Sequence, residues 1–262
     1  MMDIINKDQI KFYNQMGYIV IENVLPNNLC DDCLDQMEKH TNDFSAIMNP
    51  DRPEFLISQT SNILEKKESL NEKTNYVSLC FETSKLMSSI LKYKKAIDIL
   101  EKLQKEEVVG LMSQMLFKKA GSKYSTQAWT PHQDNAYPRN KNGKYITTNF
   151  FLRDADKENG TLYVYEESHK SGLFDSEERV SYREKAGTNP GNTISEKILK
   201  NYNKKIVNFK KGSLLVLNGN VIHGSLPNNS KRDRPLFSCS YISKGENFIP
   251  GKNAQRKVIP LH

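Results

Sequence analysis

Long apolar runs and cysteines are both scarce in this sequence, and each shortage excludes a class of protein. Hydrophobic residues make up 37% of the 262 residues, and no stretch approaches the roughly 20 consecutive apolar residues that a membrane-spanning helix needs. Residues 1–7 lack the apolar segment of a secretory signal peptide. We therefore expect a cytoplasmic protein that does not associate with a membrane.

The four cysteines do not complete a zinc site. Cys30 and Cys33 form a C-x-x-C pair, but no second pair and no nearby pair of histidines supplies the remaining ligands. Their spacing also fits the apolar stripe of a helix. We predict that both pack in the core, as do Cys80 and Cys239, which stand among apolar neighbours.

Acidic residues are outnumbered, since 38 Lys and Arg against 31 Asp and Glu give a net charge of +7. Excess positive charge is typical of nucleic-acid-binding proteins. Here, however, the lysines are spread along the chain in short pairs such as Lys204-Lys205 and Lys210-Lys211. We predict a solvated basic surface with no nucleic-acid partner; a basic cavity mouth that attracts an anionic substrate is the alternative.

Two of the five histidines stand in a pattern typical of a metal site. In His132-Gln133-Asp134, the outer two side chains point to the same side of a strand, because side chains repeat with period two. His223 stands beside Gly224, shortly after the apolar run 213–217. A single His-x-Asp is also common in ordinary loops, but two imidazoles and one carboxylate together occupy one face of a ferrous ion and leave the opposite face open.

An arginine follows the second histidine at the start of another alternating run, 236–242. The planar guanidinium of Arg234 is a permanent, fork-shaped partner for a carboxylate. Arg232 is the rival for this role, and a solvent-exposed ion pair is the alternative for either residue.

In combination, these segments resemble the phytanoyl-CoA dioxygenase family of iron(II)- and 2-oxoglutarate-dependent oxygenases. The matching pieces follow the family order at 17–25, 115–119, 132–134, 158–162, 168–170 and 223–228. The resemblance implies a double-stranded β-helix, the cupin-like jelly roll. It also implies an enzyme that uses Fe(II), 2-oxoglutarate and O2 to hydroxylate a small molecule, with release of succinate and CO2.

The resemblance assigns the ligands. His132, Asp134 and His223 are the implied iron ligands, and no catalytic residue beyond them is predicted. Related halogenases have a small residue where Asp134 stands, so hydroxylation is expected rather than halogenation. Arg234 is implied to bind the distal carboxylate of 2-oxoglutarate, with help from the Ser225 hydroxyl.

Two strands are expected to line the co-substrate pocket. Met115 and Lys119 lie four residues apart on the strand that the family uses for this purpose, although an exposed lysine is the alternative for Lys119. Thr147 and Asn149 share one face of a later strand, and inward-facing polar groups need hydrogen-bond partners. Asn149 stands where many relatives carry tryptophan, which leaves the packing around the co-substrate open.

Substrate contacts are predicted from position alone. Tyr137 and Arg139 follow Asp134 closely, and Trp129 precedes the motif; loop or packing roles are the alternatives. His169 falls where the family has the last residue of Pro-Gly-Ser-His, here Glu166-Glu167-Ser168-His169, and is left open between a metal-site residue and a turn residue. The polar insert and the basic balance favour a polar or anionic substrate over a long acyl chain.

The pattern along the chain predicts a mainly β domain with flanking helices over residues 1–262. A helical part covers about 1–105, the β-helix core about 106–245, and a polar insert about 171–205. The predicted helices span 8–16, 83–91 and 94–104, with a further helix opening at Pro26; segment 49–71 is expected to cover the active-site mouth. The predicted strands span 18–24, 108–117, 145–152, 161–165, 206–209, 213–217 and 236–242.

Two rival functions remain at this point. One is a jelly-roll binding protein without turnover, which the complete triad and Arg234 argue against. The other is the same oxidant used for desaturation, epoxidation or cyclisation, which the sequence does not separate from hydroxylation. The sequence also leaves the oligomeric state undetermined.

Overall fold

Two antiparallel sheets pack face to face, and helices cover the outer side of the larger sheet. The computed structural model describes residues 4–42, 76–78, 84–121, 125–126, 128–174, 179–181, 192–251 and 256–262. Within these residues the larger sheet has six strands and the smaller has four, and a third sheet has two strands.

The first helix is fixed at both ends by its sequence. The α-helices in the described ranges are α1 Lys7–Met16, α2 Asn27–Asn42, α3 Lys85–Leu91, α4 Lys94–Gln104 and α5 Glu196–Leu199. Asn6 and Gln9 form a capping box at the start of α1. Gly17 ends it with φ of 84°, a left-handed conformation that glycine adopts without strain.

The strands are distributed between the sheets by long-range pairing. Their bounds are β1 Tyr18–Ile21, β2 Tyr76–Ser78, β3 Val108–Lys118, β4 Trp129–His132, β5 Tyr145–Phe151, β6 Leu162–Tyr165, β7 Arg179–Ser181, β8 Asn192–Ile194, β9 Lys204–Ile206, β10 Leu214–Asn218, β11 His223–Ser225 and β12 Arg234–Ser243. The six-stranded sheet has the order β1-β10-β5-β12-β3-β2, the four-stranded sheet the order β4-β11-β6-β9, and β7 pairs with β8.

Alternation along β5 separates a helix-facing side from an interior side. Ile146 and Phe150 pack in the core shared with the helices. Phe151 packs instead with residues of the smaller sheet, between the two layers. Because alternate residues of a strand share a face, Thr147 and Asn149 point into this interior, as expected.

Most predicted elements are confirmed to within a few residues. The predictions of helices 8–16 and 94–104 and of strands 108–117 and 236–242 correspond to α1, α4, β3 and β12. The predicted strand 206–209 is wrong: β9 ends at Ile206, and Phe209 forms only an isolated bridge with Ala155. The reason is that the partner strand β6 pairs with residues 204–206. Segment 49–71 lies outside the described residues.

The prediction that the cysteines pack in the core is confirmed for the three that lie in the described residues. Cys30, Cys33 and Cys239 are buried and carry free thiols. Burial raises the pKa of Cys30 to about 11 and that of Cys33 to about 12, so both behave as apolar side chains. Cys80 lies outside the described residues. No described helix is both long enough and apolar enough to span a bilayer.

Candidate metal centre

Two neighbouring strands of the smaller sheet bring the predicted ligands together. His132 is the last residue of β4 and His223 the first of β11, and the two stand opposite each other in the antiparallel register. Their ring centroids lie 4.5 Å apart. Asp134 begins a short 3-10 turn directly after β4, which places its carboxylate beside both imidazoles.

The distances within the triad suit a single cation. His132 Nε2 lies 3.4 Å from Asp134 Oδ1, and His223 Nε2 lies 3.5 Å from Asp134 Oδ2. One potential ligand atom from each residue lies within 4.8 Å of the others. Ligands held about 2.1 Å from a metal at right angles to one another stand about 3 Å apart, so a small contraction around an ion completes the site.

Backbone carbonyls fix the tautomer of both histidines. His132 Nδ1 lies 2.6 Å from the Thr130 carbonyl oxygen, and His223 Nδ1 lies 3.2 Å from that of Val221. A carbonyl oxygen only accepts, so each Nδ1 must donate. In the neutral form of each ring, Nε2 therefore carries the lone pair on the side of the shared carboxylate, which is the arrangement of metal-bound histidines.

The charge state of the triad also suits a divalent cation. Burial tends to raise the pKa of Asp134, but His223 and His132 outweigh it and hold that pKa well below its usual range. Burial lowers the pKa of His223 to about 4. Burial opposes protonation of His132 as well, but its hydrogen bond to Asp134 and the carboxylate charge raise the net pKa. An ionised carboxylate and a neutral His223 are the forms that bind metal, and a cation that binds His132 would displace its proton to solvent.

Gln133, between the two ligands, anchors them from the opposite side. Its side chain is buried, and its Nε2 donates to the carbonyl oxygens of Asn220 at 2.6 Å and Gly172 at 2.8 Å. Its Oε1 accepts from the Phe174 backbone N–H at 2.9 Å. The bond to Asn220 ties the end of β4 to the loop that leads into β11, and the other two tie it to the segment at residues 172–174. Sequence analysis did not single out Gln133, although a polar residue between two ligands on a strand must point away from the metal.

The two candidate arginines occupy different environments. Arg234 begins β12 and is 1% exposed. The Arg232 side chain is 47% exposed, and its guanidinium donates to the carboxylates of Asp156 at 2.8 Å and Glu158 at 3.2 Å. The structure therefore places Arg234 in the interior and gives Arg232 a surface ion pair.

The strand β3 presents a different lysine from the expected one. Met115 packs in the helix-facing core, and Lys119 is half-exposed with its ammonium 5.7 Å from the ring centroid of Phe117. Met115 therefore lies on the helix side of β3, which corrects its expected place in the co-substrate pocket, and the pocket role of Lys119 stays a prediction. Lys118, on the other face of β3, is fully buried, and its Nζ donates to Ser225 Oγ at 3.0 Å.

Polar groups on the interior face of the larger sheet stand near the triad. Thr147 contributes to the lowered pKa of Asp134, and it lies opposite Ser240, whose buried hydroxyl has no hydrogen-bond partner among the described residues. Asn149 is 4% exposed and lies opposite Ser238. A buried hydroxyl in this position is available to a water or a polar ligand.

Of the predicted substrate contacts, Trp129 lies beside the triad, whereas Tyr137 and Arg139 lie on the loop that follows it. The Trp129 ring lies 5.9 Å from the His132 ring and is partly exposed. Tyr137 and Arg139 are exposed on the following loop, where the Tyr137 ring lies 5.9 Å from the guanidinium carbon of Arg256.

His169 takes a structural position instead of joining the metal ligands. Its Nε2 lies 3.1 Å from the Asn14 carbonyl oxygen, at the end of α1. Its ring also packs against Gly17, where an added Cβ would collide with the imidazole. In the part of the chain that the structure describes, the metal-binding cluster consists of His132, Asp134 and His223.

Comparisons with known proteins agree with this geometry. The family model described as phytanoyl-CoA dioxygenase (PhyH) matches residues 13–236. "Phytanoyl-CoA dioxygenase domain-containing protein 1" of Danio rerio is 25% identical over 283 aligned positions, which cover 95% of this chain and 93% of the relative. "Phytanoyl-CoA dioxygenase" of Arabidopsis thaliana is also 25% identical, over 97% of this chain and 94% of its own length.

Solved structures show the same fold. EctD from S. alaskensis, crystallised with 2-oxoglutarate and 5-hydroxyectoine, superposes with a TM-score of 0.75 at 15% identity and covers 99% of this chain and 86% of its own. The epimerase SnoN in complex with Fe3+, alpha ketoglutarate and nogalamycin RO gives a TM-score of 0.69 at 16% identity, over 98% of this chain and 95% of its own. The predicted cupin-like jelly roll is thereby confirmed.

Proposed function

Because the chain belongs to the phytanoyl-CoA dioxygenase family, it is an iron(II)- and 2-oxoglutarate-dependent oxygenase, and we propose that it hydroxylates a polar small molecule at the His132-Asp134-His223 site. The observation that carries the proposal is the position of two imidazoles beside one carboxylate. Both imidazoles are held by hydrogen bonds from Nδ1, so that Nε2 is the atom that faces the carboxylate. When bound, iron and 2-oxoglutarate supply the oxidising chemistry, in which O2 and 2-oxoglutarate give succinate, CO2 and one oxygen atom for the substrate.

The chain's own residues hold and shield these groups. His132, Asp134 and His223 would hold the metal on one face, so that the remaining positions stay open to the co-substrate and O2. Arg234 would bind the distal carboxylate of 2-oxoglutarate, with the Ser225 hydroxyl beside it. Both side chains are enclosed between the sheets, where an ion pair is screened far less than at the surface.

The substrate side of the proposal rests on the mouth of the site. Of the three predicted substrate contacts, we propose Trp129 as the one beside the metal site, because it is partly exposed next to His132. Tyr137 and Arg139 would contribute only at the rim, where an exposed guanidinium favours a polar or anionic compound. We also propose a single domain over residues 1–262; in its support, β1 near the start of the chain pairs with β10 near its end.

An anaerobic absorption experiment tests this function. Adding Fe(II) and 2-oxoglutarate to the wild-type protein is expected to produce a visible metal-to-ligand charge-transfer band. The band should be absent in His132→Ala and present in His169→Ala, since His169 lies outside the cluster. No band in the wild-type protein, or an equal band in His132→Ala, would contradict the proposal.

A further inference from the structure

The strand that carries His132 is bulged immediately before that ligand. Between the two residue pairs that join β4 to β11, one residue of β11 stands opposite two residues of β4, Thr130 and Pro131. A bulge of this kind bends the strand and redirects the side chains beside it, and bulges are frequent next to active sites. The shape of the β4 bulge, residues 129–131, therefore determines where the His132 imidazole points.

Each carbonyl oxygen of the β4 bulge accepts a hydrogen bond from a side chain. The three bonds run from the Tyr163 hydroxyl to the Trp129 oxygen at 3.0 Å, from His132 Nδ1 to the Thr130 oxygen at 2.6 Å, and from the Thr193 hydroxyl to the Pro131 oxygen at 2.9 Å. The carbonyl that holds the His132 ring thus lies between two carbonyls that are themselves held by hydroxyl groups. Both hydroxyl groups come from other elements of the fold.

Tyr163 reaches the β4 bulge by crossing a neighbouring strand. It pairs with Gly224 of β11, and β11 separates its own strand, β6, from β4. An added Cβ at Gly224 would collide with both the Tyr163 hydroxyl and the Trp129 carbonyl oxygen. The Lys204 ammonium lies 3.9 Å from the centroid of the Tyr163 ring and packs over it. The glycine beside the ligand His223 therefore leaves the passage that this hydrogen bond needs.

Thr193 connects the polar insert to the same bulge. It lies on β8, within the predicted insert at residues 171–205, and is 2% exposed. The Pro131 carbonyl group that it holds shares a peptide unit with the backbone nitrogen of His132. Because a peptide unit is planar, rotation of this carbonyl would also turn the backbone of the ligand.

We propose that Tyr163 and Thr193 are positioning residues, which hold the β4 bulge so that His132 presents Nε2 to the metal. The inference rests on the proposed function, since it concerns the metal site of that function. It gives the polar insert a part in metal binding, although the three ligands lie outside it. The competing explanation is that the two hydrogen bonds only stabilise the fold.

Removal of single hydroxyl groups separates these explanations. Thr193→Val and Tyr163→Phe keep the shape of each side chain and delete its hydrogen bond, while Thr193→Ser keeps the bond. Thr148→Val is the matched control, because Thr148 is 0% exposed and its hydroxyl donates to the Cys239 carbonyl oxygen at 3.2 Å in the larger sheet. Anaerobic equilibrium dialysis without 2-oxoglutarate measures the dissociation constant of Fe(II). Thermal denaturation of the metal-free variants measures the loss of stability.

The expected result separates metal affinity from stability. The net contribution of one hydrogen bond corresponds to a factor of roughly 3 to 10, so the Fe(II) dissociation constant should rise by that factor in Thr193→Val and in Tyr163→Phe. Thr193→Ser should bind Fe(II) like the wild type.

The control should behave differently. Thr148→Val should lower the melting temperature about as much as Thr193→Val and leave the Fe(II) dissociation constant unchanged. Wild-type affinity in either hydroxyl deletion would overturn the role of that residue, and an equal loss of affinity in Thr148→Val would overturn both roles. A wild-type protein that does not bind Fe(II) tightly would instead overturn the proposed function itself.

Discussion

Replacement of Arg234 by methionine should abolish most of the affinity for 2-oxoglutarate without opening a large cavity. The guanidinium is 1% exposed, so its interaction with a carboxylate is little screened. Removing one partner of such a buried, hydrogen-bonded ion pair costs about 3 kcal/mol. Since 1.4 kcal/mol corresponds to a tenfold change, the dissociation constant should rise roughly a hundredfold. Anaerobic calorimetry with Fe(II) present measures it directly.

Arg232→Met is the matched control for this experiment. The side chain is 47% exposed and is paired with Asp156 and Glu158 at the surface, so its replacement should leave the dissociation constant of 2-oxoglutarate unchanged. The reasoning is refuted if Arg232→Met loses 2-oxoglutarate while Arg234→Met retains it. A retained charge-transfer band in Arg234→Met at saturating 2-oxoglutarate would show that the metal site itself is intact.

Three further changes probe the surroundings of the site. Gln133→Leu removes three hydrogen bonds behind the ligands and should weaken Fe(II) binding about 10- to 100-fold; unchanged affinity in a metal titration would refute its anchoring role. Gly224→Ala places a methyl group against the Trp129 carbonyl oxygen, so both Fe(II) affinity and melting temperature should fall, whereas wild-type values would contradict the close strand approach. The lowered pKa of Lys118 means that the unfolded state binds the extra proton, so the free energy of unfolding of the ligand-free protein should rise as the pH approaches the ordinary pKa of lysine from below. Lys118→Met should show less of this rise in denaturant titrations, and an identical slope would count against the lowered pKa of Lys118.

The sequence predicted the elements well where local chemistry decides them. The capping box and Gly17 define α1 without help from the rest of the fold. The candidate ligand set came from His-x-Asp and a histidine beside glycine, which are local patterns, together with the resemblance to the family. The opposition of His132 and His223 across β4 and β11 was not predictable, because strand register depends on long-range pairing.

The error on β3 has a physical cause. This strand is mostly buried on both faces, by the helices on one side and the second sheet on the other. Its apolar pattern therefore does not reveal which residues point inward. Met115 falls on the helix side, while Lys118 enters the interior opposite Arg234. In the sequence, the only local sign of the interior face of β3 is the charged residue Lys118. Its position becomes clear only from its pairing with Arg234 on β12.

Counting bound iron tests the central claim most directly. Equilibrium dialysis of the anaerobic protein against Fe(II) should give one tightly bound ion per chain for the wild type and for His169→Ala. His223→Ala should bind no iron tightly, since its imidazole lies 3.5 Å from the shared carboxylate and supplies one of three ligands. Full iron occupancy in His223→Ala, or its loss in His169→Ala, would contradict the proposed metal centre.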